Sequence, residues 1–230
     1  MIKRKGILSV FVIFIVLFLV QVSYAAIING GFETGDFSGW STTQSIGGNL
    51  AVVQSYILNT LSDGSGDDII FLPYEGNYMA VIGSESAETN WNVFNQLIQL
   101  DPQWYDAPVL SFAYNFWSYD YEPWDSPGFQ VLVNGTPVFS LSPADIDTDG
   151  ENGGLDYTGW QVVTIDLCPY LNGIFHGNIT IDFMAGDTGD EILRTGVFLD
   201  NIEIRNVPLP SSLLFLASGM LGIFGLRRKR

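Results

Sequence analysis

The sequence predicts an all-β protein, an antiparallel β-sandwich or jelly roll, flanked by an N-terminal signal peptide and a C-terminal transmembrane helix. Runs rich in Val, Ile, Phe and Tyr alternate with turns of Gly, Asn, Asp and Pro, and no amphipathic helix of useful length interrupts them. Seven of the nine Lys and Arg residues lie at the two ends of the chain. These observations divide the chain into a signal (1–25), a β-sandwich domain (26–206) and a tail (207–230).

The N-terminal segment has the three parts of a secretory signal. A basic start is followed by an apolar run from Ile7 to Val20 that contains one polar residue, Ser9, and Ser23 and Ala25 supply the small residues of a cleavage site. An uncleaved anchor is the alternative, but a spanning helix needs roughly 20 apolar residues. We therefore expect cleavage after Ala25 and export across the inner membrane.

The body contains about nine candidate strands, which favours a sandwich over other all-β architectures. Asn134-Gly135 between two apolar runs predicts a tight hairpin, because both residues tolerate positive φ, and Pro137 indicates an edge strand. The predicted strands are Asn49–Tyr56, Tyr78–Ile82, Trp91–Leu100, Val109–Tyr119, Phe129–Val133, Thr136–Leu141, Gln161–Asp166, Asn178–Ala185 and Val197–Ile204.

The charge of the body limits its partners. Residues 26–206 hold all 25 acids and only two basic residues, a formal charge of −23. This excludes nucleic acid, whose phosphates need a basic surface, and it favours divalent cations. The one cysteine, Cys168, cannot form an intramolecular disulfide, and the one histidine, His176, makes a His-based zinc site or a Ser-His-Asp triad hard to build.

Aromatic residues are concentrated between positions 104 and 124. Along the strand 109–119, period-two alternation places Leu110, Phe112, Tyr114 and Phe116 on one face, which we assign to the core. The opposite parity, continued into a Pro-rich loop, offers a candidate glycan-binding set in which rings lie beside carboxylates. The alternative is that these rings fill the sandwich and cover its edges. The candidate glycan-binding residues are Trp117, Tyr119, Tyr121 and Trp124.

The segment Asp145-Ile146-Asp147-Thr148-Asp149-Gly150 has the pattern of the first half of a calcium loop. Three carboxylates at alternate positions repel one another unless a cation is present, and the glycine allows the sharp turn. Asp156 falls at the twelfth position and completes the predicted ligand set. The alternative is a solvated acidic turn, since the flanking helices of an EF-hand are missing.

No catalytic motif is present in the sequence. Gly-x-Ser-x-Gly and phosphate-binding loops are missing, and no pair of acids is distinguished from the many others. We therefore predict a protein that is not an enzyme.

The tail begins with Pro208 and Pro210 and continues as a charge-free apolar stretch, 209–226, that ends in four basic residues. Charged residues are costly at the bilayer centre, and basic residues stay on the cytoplasmic side, so the acidic body faces outward. A buried core helix is the alternative, but nothing polar alternates through this run.

This order of parts resembles the PEP-CTERM sorting signal, although Leu209 replaces the family's usual acid. The resemblance implies an exported protein of a Gram-negative bacterium, held in the membrane at least transiently. It also implies processing by an exosortase and association with exopolysaccharide and biofilm matrix. The residues that carry the resemblance are Val207, Pro208, Leu209, Pro210, Gly219, Gly222, Gly225, Arg227, Arg228, Lys229 and Arg230.

The body has a resemblance of its own. Asn29-Gly30-Gly31-Phe32-Glu33, then Gly39-Trp40, is similar to the opening of galactose-binding-like jelly rolls, including carbohydrate-binding modules. The segment 160–167 and the closing segment 198–204 resemble their last strands. The resemblance implies a structural calcium held by Glu33 and Asp200. Alternatively, Glu33 only accepts hydrogen bonds from turn amides.

The sequence thus predicts an exported, non-catalytic surface or matrix protein, stabilised by calcium and sorted by an exosortase. A carbohydrate-binding module with a defined glycan site is the alternative, and a glycoside hydrolase or lyase is a more distant one.

Overall fold

The computed structural model describes residues 27–84, 91–100, 108–121, 123–146, 153–171, 177–187 and 192–206. The predicted signal peptide and sorting tail lie outside these residues. Among the described residues there is no helix with the length and apolar character needed to cross a membrane.

The described residues form a β-sandwich, which confirms the predicted class. Two single 3-10 turns, Pro143–Asp145 and Cys168–Tyr170, connect strands. In chain order the strands within the described residues are β1 (Ser41–Thr43), β2 (Gly48–Val53), β3 (Tyr56–Asn59), β4 (Asp68–Phe71), β5 (Met79–Ser84), β6 (Asn92–Leu100), β7 (Pro108–Ser118), β8 (Phe129–Val133), β9 (Thr136–Leu141), β10 (Asp156–Tyr157), β11 (Gln161–Asp166), β12 (Gly177–Ala185) and β13 (Thr195–Asn206).

Two antiparallel sheets form the sandwich. The five-stranded sheet has the order β1-β6-β12-β8-β9, and the six-stranded sheet has the order β10-β7-β13-β5-β2, with β11 also pairing with β7. Asn134 and Gly135 both have positive φ, 51° and 74°, and close the β8–β9 hairpin. Pro137 lies in β9 at the sheet edge, where a missing N–H removes no essential ladder bond. Both sequence predictions are confirmed.

The main core lies between the two sheets and is rich in aromatic rings. Phe94 of β6 stacks on Phe183 of β12, with ring centroids 5.1 Å apart, and Phe112 of β7 meets Phe183 edge to face at 5.3 Å. The side chains of β7 that point into the main core are therefore the ones that the alternation of apolar residues predicts. Phe32 and Trp40 of the opening segment are buried in the same cluster.

A second core lies on the outer face of the six-stranded sheet. The two-stranded sheet β3–β4 covers this face, and its residues Leu58 and Phe71 pack against Trp117 of β7 and Phe198 of β13. Neither β3 nor β4 is among the strands predicted from the sequence. This short sheet decides which side chains of β7 and β13 reach solvent.

Candidate functional site

The opening segment and the last strand meet at one end of the sandwich. The Ile202 N–H donates to the Gly30 carbonyl at 2.9 Å, and the Trp40 indole N–H donates to the Asn29 carbonyl at 3.1 Å. Phe32 follows with a φ of 56° and inserts its ring into the core. This turn leaves Glu33 exposed next to the loop that joins β4 to β5.

The Glu33 carboxylate holds that loop, residues 72–78. Its Oε1 accepts the backbone N–H of Asn77 at 2.8 Å and of Tyr78 at 3.2 Å, and its Oε2 accepts the Asn77 side-chain amide at 3.2 Å. These bonds, above all the one from the Asn77 backbone, lower the pKa of Glu33. The carboxylate is therefore ionised at neutral pH.

Asp200 holds the same loop from the other side. A β-bulge between Asp200 and Glu203, with Asn201 at a φ of 48°, interrupts the ladder at this point. Asp200 Oδ2 accepts the Glu75 N–H at 3.0 Å, and Oδ1 accepts the Asn201 N–H at 2.6 Å. Only 1% of this residue is exposed, and burial raises its pKa to about 6, despite these hydrogen bonds.

The structure thus brings Glu33 and Asp200 together, as the resemblance implies. A Cβ placed on Gly31 would lie 3.8 Å from Asp200 Oδ1 and 3.9 Å from the Glu33 Cγ, so this glycine lies between the two acids. The Glu33 charge also contributes to the raised pKa of Asp200. Carboxylate oxygens are the donors that Ca²⁺ prefers, but here the oxygens of both acids accept N–H groups, as the alternative for Glu33 predicts.

Two carboxylates do not complete a calcium shell, which takes 6–8 oxygens. Among the described residues no group of three or more His, Cys, Asp or Glu side chains could hold a metal ion. Glu33 and Asp200 would therefore need backbone carbonyls or water as further ligands.

The second predicted calcium site is described only at its ends. Asp145 closes the 3-10 turn Pro143–Asp145, and its Oδ2 accepts the Ser142 N–H at 2.7 Å and the Ser142 hydroxyl at 3.0 Å. Asp156 lies in β10, opposite Ser118 of β7. Asp147 and Asp149 lie outside the described residues. The calcium loop at 145–156 stays a prediction.

Two of the four candidate glycan-binding residues are buried. Trp117 is 1% exposed and Tyr119 is 0% exposed, and both belong to the second core beneath β3–β4. The Tyr119 hydroxyl donates to the Asn59 carbonyl at 2.5 Å, and Arg194 lies over its ring at 5.1 Å. These rings therefore pack the protein rather than offer a face to sugar. The sequence interpretation of Trp117 and Tyr119 is corrected because the predicted solvent face of β7 is covered.

The other two candidates lie in the turn after β7. The Trp124 N–H donates to the Tyr121 carbonyl at 3.0 Å, Tyr121 is half-buried, and Trp124 is 36% exposed. Behind them Asp125 is fully buried and its carboxylate accepts the Thr195 hydroxyl, which also bonds the Ser118 hydroxyl at 2.7 Å. This turn holds Trp124 at the surface, so its glycan-binding role stays a prediction.

A further aromatic pair, one ring exposed and one half-buried, was not identified from the sequence. Tyr74 of the loop 72–78 and Trp160, just before β11, have ring centroids 5.8 Å apart and an interplanar angle of 59°. They are 86 positions apart in sequence, so no local pattern could have paired them. They become neighbours because Trp160 directly precedes β11, the partner of β7, and its indole N–H donates to the Leu72 carbonyl at the start of the loop.

The end of the chain matches a known sorting signal. Residues 206–229 match the family described as the PEP-CTERM protein-sorting motif. The match confirms the resemblance drawn from the sequence and points to export with processing by an exosortase. It covers the tail alone, so it gives no family for the body. Among curated proteins none matches this chain.

Several solved structures are similar to the body in fold. One is TmCBM61, a carbohydrate-binding module in complex with β-1,4-galactotriose, with 16% identity, a TM-score of 0.42 and coverage of 80% of this chain and 100% of its own. Another is CBM27-1 of Caldicellulosiruptor saccharolyticus in complex with mannohexaose, with 15% identity, a TM-score of 0.41 and coverage of 81% and 98%. A cleaved adhesin domain of Lys-gingipain from Porphyromonas gingivalis has 14% identity, a TM-score of 0.48 and coverage of 82% and 100%. At this level of similarity none of them assigns a ligand or an activity to this chain.

Proposed function

We propose that this protein is an exported, non-catalytic component of the cell surface or extracellular matrix, delivered through an exosortase-type system. The observation that carries the proposal is the sorting motif at residues 206–229 on a chain whose body is strongly acidic. The high negative charge suits a body that stays soluble outside the membrane and meets divalent cations there. Calcium would bridge this body to anionic exopolysaccharide of a biofilm matrix.

The sorting step predicts the mass of the mature protein. In cells with an active exosortase we expect intact-mass measurement of the exported protein to show loss of the apolar stretch 209–226 and the basic end. In cells that lack the exosortase the same protein should keep its tail and stay in the membrane fraction.

A double variant, Pro208→Ala with Pro210→Ala, changes the segment before the apolar stretch without adding charge to it. We expect this variant to accumulate unprocessed, whereas Ser211→Ala, a neighbouring neutral change, should be processed normally. Retention of the complete tail by the wild-type protein in exosortase-positive cells would contradict the proposed processing.

We also propose that Glu33 and Asp200 hold a structural calcium ion. The support is their convergence on one loop at the junction of the first and last segments of the body. The ion would neutralise Asp200, whose ionised form is disfavoured by burial. By binding only the folded protein it would raise the free energy of unfolding.

This proposal predicts a coupled dependence on pH and calcium. The pKa of Asp200 is raised from 3.8 to about 6 in the folded protein, so the folded state binds the proton more tightly than the unfolded state. In chelator, its contribution to stability is therefore present below about pH 4 and lost as the pH rises through 6. A shift of this size corresponds to about 3 kcal/mol.

Thermal unfolding of the full-length protein in mild detergent measures this effect. We expect millimolar Ca²⁺ to restore at pH 7 the stability that is lost in chelator, and Asp200→Asn to remove both the pH dependence and the response to Ca²⁺. Asp68→Asn, which changes an exposed acid on β4, is the matched control and should keep both. Equal melting of the wild-type protein in calcium and in chelator at pH 7 would exclude a stabilising ion.

The alternative function is carbohydrate binding by a defined surface. The observation that favours it is the presence of exposed aromatic rings, Trp124 in the turn after β7 and Tyr74 next to the exposed Glu75. A glycan-array screen of the full-length protein, in calcium and in chelator, separates the two functions. A selective hit would assign glycan binding, and a blank in both conditions would leave the structural role.

A further inference from the structure

We propose that Tyr74 and Trp160 form a saccharide-stacking platform on the outer face of the six-stranded sheet, separate from the turn that carries Trp124. The two rings lie 5.8 Å apart at an angle of 59°, and Tyr74 is 44% exposed. The exposed Tyr74 ring and the half-buried Trp160 ring thus present an angled apolar surface to solvent. The inference rests on the glycan-binding alternative and assigns it to a site.

The Trp160 ring is fixed in position by its surroundings. Its indole N–H donates to the Leu72 carbonyl at 3.0 Å, and one side of the residue packs against the second core. The turn before it is tied to β7, because the Thr158 N–H donates to the Phe116 carbonyl at 2.9 Å and the Phe116 N–H donates to the Thr158 hydroxyl at 3.0 Å. Trp160 therefore keeps one orientation with part of its ring in solvent.

The Tyr74 ring is fixed through the backbone of its loop. The backbone N–H groups of Tyr74 and Glu75 donate to the Asp200 carboxylate. The backbone N–H groups of Asn77 and Tyr78 donate to the Glu33 carboxylate. Gly76 has a φ of 69°, and a Cβ there would lie 2.1 Å from Glu33 Oε1, so the loop fits closely over the carboxylate. A ring held in this way loses little conformational freedom when a ligand binds.

One row of residues crosses the sheet beside the pair. Asp200 of β13, Ala113 of β7 and Val162 of β11 lie in one row across three strands. Ala113 is small and buried, whereas Val162 is 55% exposed. Val162 shares the strand parity of Trp160 and lies on the same face. Asp200 and Ala113 are buried, so Val162 is the residue of this row that is exposed beside Trp160.

This combination suits a neutral sugar. A pyranose ring has one apolar C–H face for an aromatic ring, and its hydroxyls need hydrogen-bonding groups at the edge. Glu75 follows Tyr74 in the loop and is exposed, so its carboxylate can supply such a group. Anionic lipid or nucleic acid is disfavoured, because the body has a formal charge of −23.

The test measures retention of the full-length protein, in mild detergent, on a panel of immobilised neutral polysaccharides: cellulose, galactan and mannan. We expect retention on at least one of them. Tyr74→Ala and Trp160→Ala should each weaken that binding by about tenfold, whereas Trp160→Phe should keep most of it. Leu97→Ala, which removes an exposed side chain from β6 of the five-stranded sheet, is the control and should leave it unchanged, and Trp124→Ala reports on the other candidate surface. Thermal melts of all variants show whether each one is folded, and the exposed Tyr74 gives a variant that should melt like the wild type.

Three results would overturn the inference. If the wild-type protein is retained and Trp124→Ala removes binding while Tyr74→Ala does not, glycan binding survives and this platform does not. If the wild-type protein is retained on none of the polysaccharides, both the platform and the glycan-binding alternative are excluded, and the sorting proposal is untouched. If binding is lost only in variants that also melt early, the rings have a packing role alone.

Discussion

Replacing Trp117 with alanine is expected to lower the free energy of unfolding by about 3–5 kcal/mol, the usual range for removing a large buried aromatic side chain. Trp117 is 1% exposed and lies between Tyr119, at a centroid distance of 6.1 Å, and Phe198, at 6.2 Å. Its removal would leave a cavity beneath the two-stranded sheet β3–β4. In a body of about this length such a loss lowers the melting temperature by roughly 10 °C.

Trp117→Phe is the matched variant for this change. The Trp117 indole N–H has no hydrogen-bond partner within the described residues, so phenylalanine removes a buried unsatisfied donor while it keeps most of the ring volume. We expect it to cost much less than alanine. Trp124→Ala, at a surface ring, should change stability by less than about 1 kcal/mol. A Trp117→Ala protein that melts like the wild type but loses glycan binding would restore the sugar-binding role.

Trp117 shows what period-two alternation in a sequence cannot predict. Period-two alternation in β7 placed Leu110, Phe112 and Phe116 correctly in the main core. It could not show that the opposite face is also covered, because the cover is formed by β3 and β4, four residues each and far away in sequence. Alternation separates the two faces of a strand but does not tell which of them meets solvent.

The sequence predicted the proximity of the first and last segments of the body far better than it predicted which aromatic rings are exposed. Glu33 and Asp200 are 167 positions apart, yet the motifs Asn29–Glu33 and Phe198–Ile204 placed them together through a family resemblance. The loop that both acids hold, 72–78, has no comparable motif. Its position depends on hydrogen bonds to side chains from distant segments, and for that reason Tyr74 was not identified.

The same junction gives the second large prediction, which concerns Gly30. A Cβ on this residue would lie 1.8 Å from the Ile202 carbonyl oxygen and 2.9 Å from its carbon. These are backbone atoms of the last strand, and they cannot move aside as a flexible side chain could. The Gly30 carbonyl also accepts the Ile202 N–H, so any separation of the two segments breaks this hydrogen bond.

We therefore expect Gly30→Ala to lower the free energy of unfolding by about 3 kcal/mol, at the upper end of the usual cost of overpacking. Gly154→Ala is the matched control, because nothing lies within 4 Å of the position of its Cβ, and it should change stability by less than about 0.5 kcal/mol. Chemical denaturation of both variants and the wild type measures the difference.

The same substitution tests how the junction is linked to the candidate metal centre. Ile202 follows Asp200 by two positions and Glu33 follows Gly30 by three, so a displacement of either backbone moves the two carboxylates apart. Gly30→Ala should therefore lose the calcium response together with its stability, whereas Gly154→Ala should keep both. If Gly30→Ala is destabilised but still gains the full wild-type stabilisation from Ca²⁺, the ion is bound elsewhere, and the predicted loop of Asp145, Asp147, Asp149 and Asp156 becomes the site to examine.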